Sequence, residues 1–180
     1  METEITLLTS PDLATYVDHR IRQFRESGQD GTPPSHFFTA DEGPTAERLR
    51  AERADGWSKP VSDPCWLRTW GAWVDGALVA HMELRGATYR AALHRATLGM
   101  GVERHFQRAG IGARLMETAL AWARAEASIR WIDLGVFSDN HAALGLYDKH
   151  GFIECGRVDD AFRLGDRSIT ALQLCLRIKG

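Results

Sequence analysis

The sequence has few of the features that mark secreted or membrane-anchored proteins. No segment approaches the roughly 20 apolar residues that a membrane-spanning helix needs, and the first residues are acidic where a signal peptide is basic. The three cysteines, Cys65, Cys155 and Cys175, are an odd number without CxxC spacing, which argues against a disulfide framework and a zinc site. We therefore expect a cytoplasmic protein that binds neither a membrane nor a metal ion.

A strong charge of one sign is also absent. The 22 basic and 24 acidic residues leave a formal net charge of −2, which gives no overall attraction to nucleic acid, so we expect no such partner. The chain has no low-complexity tract, and its 44% hydrophobic and 26% charged residues are typical of globular proteins. Its 180 residues predict one folded domain spanning residues 1–180.

The hydrophobic periodicity predicts the order β-α-α-β-β-β-α-β-α-β-β. The pair Asp75-Gly76 favours a two-residue hairpin turn, and Ser10 and Asp139 are the expected N-caps of the first and last helices. We interpret residues 28–64 as a surface excursion. This order implies a mixed α/β fold of six to seven strands with helices on both faces. Strands are predicted at 4–8, 67–74, 77–84, 95–102, 130–137, 152–157 and 169–178, and helices at 11–27, 44–54, 110–127 and 139–150.

A glycine-containing loop lies between the strand at 95–102 and an amphipathic helix. Gly110 and Gly112 remove Cβ atoms where a ligand would approach the backbone, and the first helical turn presents unpaired N–H groups at the positive end of the helix dipole. Nearby arginines could balance a diphosphate. They are Arg104, Arg108 and Arg114. The segment is therefore a candidate anion site.

Two other phosphate-binding motifs fit this loop poorly. A P-loop would need a GxxxxGK sequence followed by serine or threonine, which is absent. A dinucleotide-binding motif would have a third glycine in place of Leu115, although Asp133 lies where its ribose-binding acid would be. Seven residues separate Val102 from Gly110, whereas a dinucleotide turn leaves its strand almost directly into the first glycine.

Two motifs in order closely resemble the signature of the GNAT superfamily of N-acetyltransferases. The first is Gln107-Arg108-x-Gly110-x-Gly112-Ala113 after Val102, and the second is Asn140-x-x-Ala143-x-x-x-Tyr147-x-x-x-Gly151-Phe152. The resemblance covers roughly residues 67–178. It implies a sheet that splays open between the strands at 95–102 and 130–137, leaving a slot for the arm of acetyl-CoA.

The resemblance also implies which residues bind the cofactor. Backbone groups of two strand residues would hold the pantetheine arm, a loop would wrap the pyrophosphate, and the second motif would contact the arm and the sulfur. A small residue on the second helix leaves room for the arm. In that order, the residues are Met100 and Val102; Gln107, Arg108, Ala109, Gly110, Ile111, Gly112 and Ala113; and Asn140, Ala143 and Tyr147.

Two side chains are candidates for catalysis. Tyr147, a phenol of ordinary pKa about 10, could protonate a departing thiolate, and it shares a helix face with Asn140. Glu83 is the candidate base that accepts the amine proton, through a water or directly, and it points to the same side of its strand as His81. Each could instead be structural: Tyr147 as a core anchor, and Glu83 as a solvated strand-end residue or a partner of Arg85. The alternatives to Glu83 as the base are Glu103 and Asp133.

We interpret the chain as an acetyl-CoA-dependent N-acetyltransferase that acts on a primary amine by direct transfer. No cysteine lies in the predicted slot, so a covalent enzyme intermediate is not expected. A free amino acid or related small amine is the favoured acceptor. A protein N-terminus or lysine, and a non-catalytic acyl-CoA sensor, are the alternatives. A homodimer is one assembly that the sequence leaves open.

Overall fold

The computed structural model describes residues 2–26, 43–164 and 166–179, within which the chain forms seven strands and four α-helices. Their order is the predicted one. The strands are β1 (Thr3–Leu7), β2 (Leu67–Val74), β3 (Ala77–Gly86), β4 (Arg95–Val102), β5 (Trp131–Phe137), β6 (Ile153–Leu164) and β7 (Arg167–Arg177), and the helices are α1 (Leu13–Glu26), α2 (Ala46–Ser58), α3 (Ile111–Ala125) and α4 (His141–Lys149).

The strands form one mixed sheet in the order β1-β2-β3-β4-β5-β7-β6. Neighbouring strands are antiparallel except β4 and β5, which are parallel because α3 crosses between them. The predicted fold class, a mixed α/β sheet with six to seven strands, is therefore confirmed.

The hairpin between β2 and β3 turns at the predicted pair. Asp75 and Gly76 have φ angles of 49° and 79°, the left-handed values that a two-residue turn with a right-handed strand twist requires. Val74 and Ala77 consequently face each other as the first pair of the ladder.

The helices cover both faces of the sheet, as predicted. On one face, Trp122 of α3 packs against Trp66 and Trp70, with ring centroids 5.8 and 5.4 Å apart. Helix α4 lies on that same face, because Leu146 borders the first turn of α3. On the other face, α1 and α2 pack against each other and contact β3 and β2. The polar side chains of His81 and Glu83 on β3 lie beneath these two helices.

Two predicted N-caps differ from the structure by one residue. The turn before α1 begins at Thr9 and not Ser10, because the Thr9 N–H donates to the Asp12 carboxylate at 2.8 Å. Helix α4 is capped by Asn140 and not by Asp139. The Asn140 side-chain oxygen accepts from the Ala143 N–H at 3.2 Å.

Strand β6 is longer than predicted, since it continues past residue 157 to Leu164. The polar residues that suggested an end instead form an irregularity in the pairing with β7, where Asp160 adopts a φ of 50°. Its carboxylate bonds Arg163 and Ser168, which stabilises the local kink. The predicted turn at Gly165 and Asp166 falls partly outside the described residues, because Gly165 is not described.

The predicted excursion at 28–64 lies outside the described residues from 28 to 42. Its remainder contains α2, which is longer than the predicted 44–54 helix and is capped by the Thr45 hydroxyl, 3.2 Å from the Arg48 N–H. None of the described helices combines the length and the apolar character needed to span a membrane.

Candidate active site

The centre of the site is a slot where β4 and β5 part. Three residues of each strand pair in parallel, from Arg95 with Trp131 to Thr97 with Asp133, and the pairing ends there. Beyond Thr97, β4 stays paired with β3 as far as Val102, while β5 stays paired with β7. Each strand follows the twist of its own neighbour, so a gap opens between their carboxyl ends. This is the predicted splay.

The loop with the first motif lies at the carboxyl end of β4. Arg108 and Gly110 are both left-handed, with φ of 61° and 79°, and Gly110 is the N-cap of α3. In the described part of the chain, no backbone N–H from residues 108–113 donates to a backbone carbonyl. Residues 107–110 are exposed. A row of unpaired N–H groups at a helix N-terminus is suited to bind a phosphate or diphosphate.

Gly112 is constrained by packing within the first turn of α3. A Cβ built there would lie 3.0 Å from Cε of Met100 and 3.5 Å from Cδ2 of Leu146. The glycine therefore lets α3 approach both β4 and α4 closely, which keeps the loop beside the slot. A larger side chain would displace Met100, one of the predicted cofactor-binding residues.

Two groups that were predicted to contact the cofactor form hydrogen bonds within the protein. The Val102 carbonyl accepts a hydrogen bond from the Gln107 side-chain amide at 3.1 Å. The Arg114 guanidinium donates to the Thr3 carbonyl at 2.9 Å, so it extends toward β1. An arm that uses the Val102 carbonyl would therefore share it with Gln107 or displace that amide.

Tyr147 lies on α4, buried with 6% of its surface exposed. Its ring packs against Phe152, with centroids 5.7 Å apart, and no described residue forms a hydrogen bond with its hydroxyl. Burial raises the pKa of Tyr147 to about 12, so the phenol stays protonated at neutral pH. Half-buried Ala143 lies one turn before Tyr147, with Asn140 at the helix start.

Glu83 lies on the opposite face of the sheet, under α1 and α2. Its two carboxylate oxygens accept from the Arg53 guanidinium at 3.1 Å each, and one also accepts from the Tyr16 hydroxyl. Burial alone would raise the pKa of Glu83, but the charges of Arg53 and Arg20 and the Tyr16 hydrogen bond outweigh it and lower that pKa. The carboxylate is thus ionised and weakly basic.

A pocket of about 270 Å³ opens beside Glu83 on this face. Its walls come from β3 and from the part of β4 at which pairing with β5 ends. They are Glu83, Arg85, Thr97, Leu98 and Gly99. The slot therefore has the pocket on one face and Tyr147 on the other. A larger depression of about 660 Å³ lies at the β1 edge, away from the slot.

A buried chain of polar side chains runs beside the pocket, and two of its members, His81 and Glu103, were already candidates from the sequence. Arg20 donates to Nε2 of His81 at 2.8 Å, Nδ1 of His81 lies 3.0 Å from Nε2 of His19, and Nδ1 of His19 lies 2.7 Å from Glu103. Since an arginine only donates, each Nδ1 carries the proton and both imidazoles are neutral. The three-residue spacing of Tyr16 and His19 on α1 indicates only that these two side chains share one face of the helix.

The chain belongs to the acetyltransferase (GNAT) family, whose model matches residues 33–152. It is 26% identical over 96 residues to the L-amino acid N-acetyltransferase AaaT of Escherichia coli K12, and the matched segment covers 53% of this chain and 59% of that protein. A GNAT-family acetyltransferase from Streptococcus pneumoniae has the same fold, with a TM-score of 0.82, 22% identity and coverage of 99% of this chain and 100% of the other. YncA from Salmonella typhimurium, solved with its cofactor acetyl-CoA, superposes with a TM-score of 0.76, at 14% identity over 100% and 96% of the two chains.

The buried histidine chain predicts a loss of stability in mild acid. Burial lowers the pKa of His19 and the Arg20 and Arg22 charges add to this, while Glu103 opposes it. Because the unfolded state binds that proton more readily, stability is complete above the unfolded pKa of about 6.5 and falls as the pH drops below it. We expect the melting temperature to fall between pH 7.5 and 5.5, and the fall to be smaller in His19→Gln. The control His94→Gln removes an exposed imidazole and should keep the wild-type pH dependence; an equal fall in all three proteins would contradict this account.

Proposed function

We propose that the protein transfers the acetyl group of acetyl-CoA directly to the primary amine of a small molecule. The observation that carries this proposal is the slot between β4 and β5, which has an anion-binding loop at its end, a buried phenol on one face and a charged pocket on the other. Family membership and the amino acid substrate in the name of AaaT support it.

The cofactor is proposed to bind along the open edge of β4. Its pyrophosphate would accept hydrogen bonds from the N–H groups of residues 108–113, and backbone groups of Met100 and Val102 would hold the arm as an extra strand. Ala143 leaves space for the arm beside α4, and the Asn140 amide nitrogen, which the cap does not use, can donate to it. The YncA structure with acetyl-CoA supports this choice of cofactor.

The reaction we propose is a direct aminolysis. The acceptor binds in the pocket as an ammonium and first loses one proton to water; the neutral amine then attacks the thioester carbonyl carbon, the new C–N bond forms, and the C–S bond breaks. The nitrogen loses a second proton, and the departing thiolate gains one from Tyr147, which then recovers a proton from solvent. The products are the amide, the free thiol and one proton released to water, so atoms and charge balance.

Glu83 is proposed to act on the amine rather than on the cofactor. Its lowered pKa makes it a poor acceptor of a full proton, but its negative charge beside the pocket attracts an ammonium and orients the nitrogen. A water between carboxylate and amine would pass the proton on. The amine of a free amino acid is more basic than the α-amine of a peptide, whose ordinary pKa is about 8, because its own carboxylate stabilises the ammonium, so it depends on such a relay near neutral pH.

Turnover with a panel of amines tests this function against its alternatives. We expect acetyl-CoA to raise the melting temperature, and amines of small molecules to accelerate release of the CoA thiol. Acceleration by peptides alone would instead indicate a protein N-terminal or lysine acetyltransferase. Binding without thiol release for any amine would indicate a sensor.

The variant Gly112→Val tests the cofactor site. Because a Cβ there already meets Met100 and Leu146, valine should push the first turn of α3 out of position and weaken the acetyl-CoA-induced rise in melting temperature by at least half. The control Gly145→Ala adds a Cβ on the exposed side of α4 with nothing within 4 Å of it. It should retain the full rise. A full rise in Gly112→Val would place the cofactor elsewhere.

Replacement of Tyr147 by phenylalanine tests the proton donor. We expect the maximal rate to fall by about 100-fold with acetyl-CoA affinity nearly unchanged, because the hydroxyl acts only as charge develops on the sulfur. Turnover and melting temperature should be measured on the same preparation. An unchanged rate with lowered stability would make Tyr147 a structural residue.

A further inference from the structure

Arg85 is a charged residue in the pocket that the proposed reaction does not use. It lies on β3 two residues after Glu83, so both side chains project to the same face, and the two Cβ atoms are about 7 Å apart along the strand. Its side chain is exposed, and within the described residues its guanidinium forms no direct hydrogen bond or ion pair, although its charge helps to lower the pKa of Glu83 and of Glu52. It is one of the five residues that line the pocket.

The neighbouring cations are already committed to protein partners. Arg53 bonds both oxygens of Glu83 and also the carboxylate of Glu52. Arg20 bonds His81 and Gln23. The charge of Glu83 is therefore balanced chiefly by Arg53 and Arg20, and Arg85 contributes least of the three arginines, so its guanidinium is available for a direct contact with a ligand.

Arg85 and Glu83 lie at different depths along the slot. In the ladder between β3 and β4, Arg85 faces Thr97, the last β4 residue paired with β5, while Glu83 faces Gly99, beyond the point where the strands part. An amine near Glu83 is thus at the open part of the slot. A group near Arg85 lies further back, where the Thr97 hydroxyl provides a second donor about 5 Å across the ladder.

We propose that Arg85 binds a carboxylate of the acceptor, and that the acceptors are amino carboxylates with the two groups one to a few bonds apart. This inference rests on the proposed N-acetyltransferase function and specifies its substrate class. A guanidinium recognises a carboxylate through two parallel N–H···O bonds, which fixes the orientation of the acceptor as well as its affinity. Polyamines and lysine side chains have no carboxylate to offer the guanidinium, and a second cationic group would be repelled by it.

Matched pairs of acceptors test the proposal. Each L-amino acid is compared with its decarboxylated amine, for example phenylalanine with phenethylamine, in wild type, Arg85→Met, Arg85→Lys and the control Arg124→Met, which removes an exposed arginine from α3. Melting temperature and the acetyl-CoA shift establish that each variant is folded and binds the cofactor.

We expect Arg85→Met to lower kcat/KM for the amino acids by about 10- to 100-fold, mainly through KM, and to leave the decarboxylated amines within about two-fold of wild type. Arg85→Lys should recover part of the loss, and Arg124→Met should resemble wild type. Equal losses for both acceptor series, or a wild-type preference for the decarboxylated amines, would overturn the role of Arg85 while leaving the acetyltransferase function intact. Cofactor binding with no acceptor turned over in either series would overturn both.

Discussion

The parting of β4 from β5 is the structural constraint on which the rest of the site depends. Two parallel strands normally continue side by side, and here their pairing ends at Thr97 and Asp133. The open edge of β4 then offers backbone donors and acceptors that no strand of the sheet satisfies. Because such groups prefer a partner, the gap is suited to an extended ligand that takes the place of a strand. The candidate anion-binding loop and the pocket both lie at this gap.

The sheet also separates the chemical groups of the site. Tyr147 approaches from the α3 and α4 face, embedded in apolar packing that keeps its phenol protonated. Glu83 and Arg85 approach from the α1 and α2 face, where arginines and buried hydrogen bonds keep carboxylates ionised. The proposed proton donor for the leaving thiolate and the proposed binding site for the amine therefore lie on opposite sides of one opening. This division suits a reaction in which one bond forms as another breaks on the far side.

Much of the fold was predictable because its signals are local. The Asp75-Gly76 turn, the β4 strand and the start of α3 depend on residues adjacent in sequence, and each lies within a residue or two of the prediction. The predicted N-cap of α4 was wrong by one position, because Asp139 and Asn140 are both residue types that cap helices well. The choice depends on Arg167, 28 residues further on, which binds the Asp139 carboxylate at 2.6 Å.

The surroundings of Glu83 could not be predicted either, because they also depend on residues that are distant in the sequence. Tyr16 and Arg53 form hydrogen bonds with Glu83 across 67 and 30 residues of sequence. Nothing in the sequences of α1 or α2 indicates that these side chains have a partner on β3. Its lowered pKa follows from those long-range contacts, and so does the change in its proposed role from base to orienting group. The prediction that Tyr147 donates a proton rests on the motif, and the structure adds the burial that keeps the phenol neutral.

A crystal structure of the protein with acetyl-CoA tests the central claim most directly. The account predicts that the pantetheine arm lies in the gap along residues 98–102, with the pyrophosphate over residues 108–113. The sulfur should lie within about 3.5 Å of the Tyr147 hydroxyl, at hydrogen-bond distance. The acetyl carbonyl should face the pocket lined by Glu83 and Arg85. A cofactor bound outside this gap, or a sulfur on the α1 and α2 face away from Tyr147, would contradict the account.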